Sequence, residues 1–335
     1  MSRSLDGKRV LITGGAGLIG STLVGTAIDA GADEVVVFDD FSRGTVENLA
    51  HVADEHALTV VEGDICDRDQ LRGVLGGIDV LFHMAAIRIT RCADDPEAAM
   101  SVLVDGSFNV VEEARRAGVG KVVASSSASI YGAADVLPTD EWHHPYGNRT
   151  LYGAAKLFLE QLLRSYSDQY GLRYIALRYF NVYGPRMDTE GKYTEVFVRW
   201  MQRIDSGLAP VIFGDGSQSM DLVFTEDIAR ANLLAAVSDQ DDEVFNVASG
   251  REVTMWELAI GLIEAMGAVM EPEFGPQRAV AAVPRRLADV SKARDLLGFQ
   301  TEVDLDDGLR RLVSWWRSRT GPREASYGVP SSAGR

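Results

Sequence analysis

Tyr152 and Lys156 are the two residues of this chain whose types and spacing best fit proton transfer. A separation of four positions places both side chains on one face of a helix. A free phenol has a pKa of about 10, and lowering it by roughly three units requires about 4 kcal/mol of preferential stabilisation of the phenolate. An adjacent ammonium could supply part of that energy in a site shielded from water. Because the spacing also suits a surface pair on a helix, the interpretation depends on the surrounding elements.

A glycine-rich turn near the N-terminus favours the catalytic interpretation. Gly14, Gly17 and Gly20 lie between the apolar run 10–12, a predicted buried parallel strand, and a predicted helix. Glycines at these positions permit a tight turn, bring the backbone close to a pyrophosphate and let the helix pack on the strand. The helix N-terminus offers N–H groups and a positive dipole end to phosphates. The turn therefore predicts a dinucleotide-binding site.

Asp39 ends the second predicted strand, about 20 residues beyond the glycine turn, where a ribose-binding carboxylate is required. Its carboxylate would accept both adenosine ribose hydroxyls and repel a 2′-phosphate, which predicts NAD rather than NADP. Arg43 could stack near the adenine or tolerate a phosphate. Asp64, after the third strand, could accept the adenine amine, or instead cap the predicted helix 67–75.

Small and polar residues close the next two strands. Ala85 and Ala86 follow strand 80–82 and let the backbone approach the diphosphate and ribose, while His83 is predicted to be a hydrogen-bonded core residue. The serines 125–127 follow strand 121–124, at the edge where ligands bind in open α/β sheets. Ser127 is the predicted partner of Tyr152 at the reacting oxygen.

The alternation of strands and helices predicts a Rossmann-type doubly wound parallel sheet with a smaller α/β substrate-binding lobe. Residues 1–180 form the predicted dinucleotide-binding domain, to which 225–250 return. Residues 181–224 and 251–317 form the predicted lobe, and 318–335 are predicted to be a disordered tail.

Charge and composition exclude several classes of protein. The net charge of −16 disfavours binding to nucleic acid. No apolar run reaches the roughly 18 residues that span a membrane, so we expect a cytoplasmic protein. Cys66 and Cys92 lack metal-ligand spacing, and adjacent histidines such as His143 and His144 rarely face one ion. We therefore predict no metal.

Six motifs resemble one family: 14–20 (GGAGLIG), Asp39, 83–86 (HMAA), 125–132 (SSSASIYG), 152–156 (YGAAK) and 178–186 (RYFNVYGPR). Together they are similar to the extended short-chain dehydrogenases/reductases of the NAD-dependent nucleotide-sugar epimerase/dehydratase family, closest to its UDP-glucose 4-epimerase-like members. The resemblance implies tightly held NAD, with Tyr152 as base, Lys156 on the nicotinamide ribose and Ser127 beside the reacting hydroxyl. It also implies a homodimer formed through the predicted long helices 97–117 and 151–170.

The implied cofactor-binding residues are Gly14, Gly17, Leu18, Ile19, Gly20, Asp39, Asp40, Ser42, Arg43, Asp64, Ile65, Ala85, Ala86, Ser125, Tyr152, Lys156 and Tyr179. The implied substrate-binding residues are Arg91, Ser127, Tyr152, Asn181, Arg186 and Arg286, with Asn181 on the substrate diphosphate.

Ala128 and Ser129 bear on the reaction. The family's dehydratases and decarboxylases carry acidic residues just after the catalytic serine or threonine, whereas neither Ala128 nor Ser129 can act as a general acid or base at pH 7. The pattern resembles the 4-epimerases and predicts C4 inversion of a nucleoside-diphosphate hexose, most simply UDP-glucose and UDP-galactose. Alternatives are a 2-epimerase, a net oxidoreductase or, outside enzymes, an NAD-sensing protein that has lost catalysis.

Departures from the family pattern leave the substrate open. Met220 stands where relatives place an arginine on the β-phosphate, and Leu103 replaces an asparagine near the nicotinamide. Arg285 or Arg286 could replace the phosphate contact. Alternatively, one of these two arginines, or one of Arg88 and Arg91, could pair with a sugar carboxylate, which would make the substrate a UDP-uronic acid. Surface exposure is the competing interpretation, more for Arg88 than for Arg91.

Overall fold

The computed structural model describes residues 4–189, 195–276 and 283–320. Its main feature is a seven-stranded sheet in the order β10-β6-β5-β4-β1-β2-β3, with every neighbouring pair parallel. Its strands are β1 (Arg9–Thr13), β2 (Glu34–Asp39), β3 (Leu58–Glu62), β4 (Val80–His83), β5 (Lys121–Ser127), β6 (Tyr174–Tyr179) and β10 (Glu243–Val247).

Helices cover both faces of this sheet. On one face α1 (Leu18–Asp29) packs against α8 (Thr225–Val237), and on the other α2 (Arg68–Leu75), α5 (Ser107–Ala117) and α6 (Leu151–Tyr170) pack together. Each face has its own apolar core. Because both faces are covered, the central strands read as unbroken apolar runs, and the fold is the predicted doubly wound α/β sheet.

Two elements differ from the sequence prediction. The expected helix 97–117 is divided into α4 (Pro96–Met100), a π-helical segment (Ser101–Gly106) and α5. Such wide turns often occur at functional sites, and here the segment packs Leu103 into a small apolar cluster with Cys92 and Ala155, against Tyr152. The fifth strand is longer than expected and runs through Ser127, so the three serines are its last residues rather than a following turn.

The smaller lobe has two short sheets, β11-β9-β7 and β12-β8. It contains the strands β7 (Asn181–Tyr183), β8 (Val211–Phe213), β9 (Ser219–Phe224), β11 (Glu252–Thr254) and β12 (Glu273–Gly275), and the helices α7 (Val196–Asp205), α9 (Met255–Ala265) and α10 (Leu305–Thr320). A short helix, α3 (Ile89–Asp94), follows β4. Helix α10 buries Trp316 in the lobe core. Residues 318–320, predicted as tail, belong to this helix, and 321–335 lie outside the described residues.

Candidate active site

A cavity of about 1450 Å³ lies between the carboxyl ends of the central strands and the smaller lobe. Pockets for one small molecule usually measure about 300–1,000 Å³, so this cavity has room for two nucleotide-sized ligands. All the residues predicted to bind cofactor or substrate line it: Gly14, Gly17, Leu18, Ile19, Gly20, Asp39, Asp40, Ser42, Arg43, Asp64, Ile65, Ala85, Ala86, Arg91, Ser125, Ser127, Tyr152, Lys156, Tyr179, Asn181, Arg186 and Arg286.

Two neighbouring elements position the Tyr152–Lys156 pair. Both residues lie near the start of α6, whose first turn is capped by the Thr150 side chain. The Lys156 Nζ donates hydrogen bonds to the Ser125 carbonyl at 2.7 Å and to its Oγ at 3.1 Å, and lies 5.7 Å from the Tyr152 ring centroid. The Ser127 side chain acts on the Tyr152 hydroxyl and lowers its pKa. The end of β5 therefore holds the ammonium, the phenol and a hydroxyl together.

Burial sets the ionisation of both groups. It raises the pKa of Tyr152 to about 12, although the Ser127 side chain and the charges of Arg43 and Arg286 lower it. Burial also lowers the pKa of Lys156 to about 8. The protein alone thus does not make the phenol a base at neutral pH, contrary to the expectation that Lys156 would lower its pKa. The positive charge of an oxidised nicotinamide is the further contribution that this site needs.

The glycine turn fits a dinucleotide pyrophosphate. Gly14 has φ 69°, and a Cβ there would lie 2.7 Å from the Ala85 backbone. Gly17 is the N-cap of α1, and no side chain caps this helix end. The uncapped N–H groups border the cavity, which is the arrangement that binds phosphate at helix N-termini.

Two carboxylates border the part of the cavity expected to hold adenosine. Asp39 accepts backbone N–H groups of Ala16 and Phe41, each at 2.9 Å, which leaves one lone pair on each carboxylate oxygen for a ribose hydroxyl. Asp64 accepts from Cys66 N–H at 2.8 Å. The alternative role as the cap of α2 belongs to Asp67, not Asp64.

His83 is a core residue, as predicted. Its ring nitrogens hydrogen-bond with Thr13 Oγ1 at 2.8 Å and Ser107 Oγ at 3.1 Å, and its side chain is buried. Burial lowers its pKa to about 3, so the ring stays neutral at physiological pH.

The arginines near the cavity differ from one another in their surroundings. Arg88, expected on the surface, has a side chain only 12% exposed and lies 3.8 Å from Asp188 and 3.7 Å from Glu195. Arg91 is exposed at the rim of the cavity. Arg43 also faces Asp188, at 3.8 Å. The order of burial between Arg88 and Arg91 is therefore the reverse of the sequence prediction.

Three further arginines are distinguished by their partners. Arg285 forms a bidentate pair with Glu252 at 2.6 and 2.7 Å, so only its neighbour Arg286 lines the cavity. Arg186 donates to Ser21 Oγ at 2.9 Å and Thr22 Oγ1 at 2.6 Å, both on α1. Its guanidinium is therefore bound to the helix that follows the glycine turn, on the cofactor side rather than at the predicted substrate end.

His143 and His144 have a third potential metal ligand nearby, Asp135, which the sequence analysis did not predict. The ligand atoms of Asp135, His143 and His144 lie within 4.8 Å of one another. However, His143 Nε2 accepts from Asp135 N–H at 3.0 Å, while His144 Nε2 lies 3.1 Å from Asp135 Oδ2 and its Nδ1 3.3 Å from Tyr146 N. Because these nitrogens already stabilise the loop, we assign no metal to the cluster.

Sequence reasoning missed the wall that the smaller lobe contributes. It comprises Trp200, Arg203, Val211, Phe213 and Gln218 among others. These residues come from α7, β8 and the segment before β9, which no single spacing connects, so only the assembled lobe brings them together.

A glycine turn at a helix N-terminus, a carboxylate at the end of β2 and a Tyr–Lys pair beside a serine define a dinucleotide-dependent enzyme of the extended short-chain dehydrogenase/reductase class. The NAD dependent epimerase/dehydratase family model matches residues 10–248. The chain therefore belongs to that family.

Relatives cover nearly the whole chain. UDP-glucose 4-epimerase of Mycolicibacterium smegmatis is 38% identical over 93% of this chain and 99% of its own length. The structure of UDP-glucose 4-epimerase with UDP-glucose from Thermotoga maritima has a TM-score of 0.86 and 35% identity, covering 93% of this chain and 100% of that one. UDP-N-acetylglucosamine 4-epimerase from Methanobrevibacter ruminantium, in complex with UDP-N-acetylmuramic acid, has a TM-score of 0.88 and 33% identity, covering 94% and 99%.

Proposed function

We propose that this chain is an NAD-dependent epimerase that inverts C4 of a UDP-hexose, most simply between UDP-glucose and UDP-galactose. The observation that carries the proposal is that Tyr152, Lys156 and Ser127 line one cavity with room for two nucleotides. Next to Ser127 stand Ala128 and Ser129, which provide no carboxylic acid for dehydration or decarboxylation. An NAD sensor would need neither the phenol nor the ammonium that the chain keeps in this cavity.

The residues have distinct roles in this reaction. Tyr152 removes the proton of the C4 hydroxyl and later returns it to the transient 4-keto sugar, Ser127 hydrogen-bonds with the reacting oxygen, and Lys156 stabilises the phenolate. Bound NAD would supply the hydride chemistry at C4, with the hydride given back to the opposite face of the sugar. Asp39 and the glycine turn select and hold NAD in this proposal.

The substrate diphosphate has two candidate donors. The Asn181 side chain borders the cavity, and its Oδ1 is buried without a hydrogen-bond partner among the residues that the structure describes. Because the orientation of an amide is assigned from its hydrogen bonds, Asn181 can instead present its Nδ2 donor to a phosphate. Arg286 donates its backbone N–H to Ser219, next to Met220, and its guanidinium supplies the positive charge that Met220 lacks.

We also propose a homodimer in the cytoplasm. Phe108 on α5 and Phe158 on α6 are each 37% exposed, with Met100 nearby in the chain at 46%, which supports an interface across these helices. Both cysteines are free thiols, as suits a reducing compartment. Among the described residues, no helix has the length and apolarity to cross a membrane.

The test is to incubate the protein as isolated, without added cofactor, with UDP-galactose and a panel of other nucleotide sugars, uronates included, and to follow C4 and C2 by proton NMR. We expect UDP-glucose to form. Turnover of a uronate alone would show that the substrate is a UDP-uronic acid. Inversion at C2, or steady consumption of added NAD, would show that the reaction is not C4 epimerisation. Bound NAD with no turnover of any sugar would favour the sensor.

A further inference from the structure

We propose that Glu160 is a positioning residue that places its carboxylate one helical turn from the Lys156 ammonium and fixes the end of β5 against α6. The proposed function gives this role its catalytic meaning, but its geometry and its main test do not require a substrate.

The three serines at the end of β5 lie against three successive turns of α6. Ser127 acts on the Tyr152 hydroxyl, Ser125 accepts from Lys156, and the Ser126 Oγ donates to Glu160 Oε1 at 2.5 Å. Tyr152, Lys156 and Glu160 are spaced four apart, so consecutive turns of the helix are each attached to the same strand end. Glu160 therefore completes a set of contacts whose other two members carry the proposed chemistry.

Arg178 of β6 holds the Glu160 carboxylate in place. Its Nε donates to Oε1 at 2.8 Å and its Nη2 to Oε2 at 2.7 Å, and the two side chains are 9% and 2% exposed. Arg178 Nη1 also donates to the Tyr131 hydroxyl at 2.8 Å. This bidentate pair and the additional hydrogen bonds fix the Glu160 carboxylate one helical turn beyond Lys156.

The groups that face Lys156 come from three elements. His83 of β4 is neutral because burial lowers its pKa to about 3, and burial raises the pKa of the Cys92 thiol of α3. Tyr152, on the same helix as Lys156, is neutral below its pKa of about 12. Cys92 and then Glu160 oppose the burial that lowers the pKa of Lys156 to about 8, and Glu160 is the one of these two that an ion pair with Arg178 holds in place.

Lysine NMR tests the proposal directly. The chain has only five lysines, at 8, 121, 156, 192 and 292, so isotope labelling of lysine gives few side-chain signals, and Lys156→Arg assigns the one needed. We expect Glu160→Gln to lower the Lys156 pKa by about one unit, since loss of an adjacent opposite charge shifts a pKa by roughly 1–3 units. At pH 8 the protonated fraction would fall roughly fivefold.

Glu113→Gln is the matched control. Glu113 is equally buried at 2%, pairs with Arg68 and Arg72, and does not act on Lys156. Glu160→Gln leaves the buried Arg178 without its partner, which can prevent folding. In that case Glu160→Gln/Arg178→Met, which removes both charges, replaces the single variant in the titration. A Lys156 pKa equal to that of the wild type in a folded variant lacking Glu160, or an equal fall in Glu113→Gln, would overturn the proposal.

The rate of epimerisation provides the second readout. In the Glu160→Gln variant, the apparent pKa of the alkaline limb of the kcat profile should fall by the same amount as the Lys156 pKa. Glu160→Asp keeps the charge, so its alkaline limb should lie close to that of the wild type. A loss of rate with no movement of the limb would mean that Glu160 is merely structural. If no nucleotide sugar is turned over, the proposed function fails, and the NMR titration still decides the role of Glu160.

Discussion

At the scale of residues, Tyr152 depends on its surroundings in an unexpected way. Four-residue spacing predicts that Lys156 activates the phenol, yet burial makes the phenol less acidic and takes the ammonium to a pKa of about 8. Both values follow from desolvation, which spacing in a sequence does not reveal. In the proposed reaction, the pair therefore also needs the positive charge of the bound cofactor.

Removing the Tyr152 hydroxyl tests this role. We predict that Tyr152→Phe lowers kcat by about 10²–10⁴-fold, the usual contribution of a general acid–base group, and leaves NAD bound. The measurement is steady-state turnover of UDP-galactose together with the NAD content of the purified protein. Tyr146→Phe, at an 81% exposed tyrosine, should retain full activity. Retention of more than half of the rate in Tyr152→Phe would remove the phenol from the mechanism.

The sequence predicted the residues that share a motif, and it failed for those set by three-dimensional packing. The glycines, Asp39, Tyr152 and Lys156 all fall in local patterns, and all line the cavity. Whether an isolated arginine is buried is decided by partners far away in the chain, and Arg88 meets Asp188 about 100 residues later. For that reason the sequence misjudged its exposure.

At the scale of elements, the backbone of α1 packs directly against the backbone of the glycine turn that follows β1. A Cβ at Gly20 would overlap the Gly14 carbonyl oxygen and lie 2.7 Å from Gly15 Cα. The alternation of strands and helices and this turn could be predicted from the sequence, because patterns of nearby residues determine them. The π-helical segment and the extra length of β5 were not, because tertiary contacts decide them.

Two glycines of α1 allow a matched comparison. We predict that Gly20→Ala destabilises the protein by about 1–3 kcal/mol, as overpacking does, and abolishes copurification of NAD. Gly25→Ala, in the same helix, meets the His51 side chain at 3.2 Å and should change stability by less than about 1 kcal/mol. Urea unfolding and the NAD content of each variant check both expectations. Normal NAD content in Gly20→Ala would show that this contact does not shape the cofactor site.

At the scale of the whole molecule, the exposed phenylalanines of α5 and α6 predict self-association. Phe158→Glu should convert a dimer into a monomer, since it places a charge within the apolar interface that we propose. Light scattering would change from twice the chain mass of 36.4 kDa to that mass itself. Leu208→Glu, at a 52% exposed site in the smaller lobe, is the control and should remain dimeric. A wild-type protein of single-chain mass would contradict the dimer.

In the proposed reaction, the hydride removed from C4 returns to C4 within the same cavity. The most direct measurement uses UDP-galactose with deuterium at C4 and the protein as isolated, with no added cofactor, followed by NMR. We predict UDP-glucose that retains deuterium at C4. Product that has lost the label to solvent, or no product while NAD remains bound, would contradict the return of the hydride to C4.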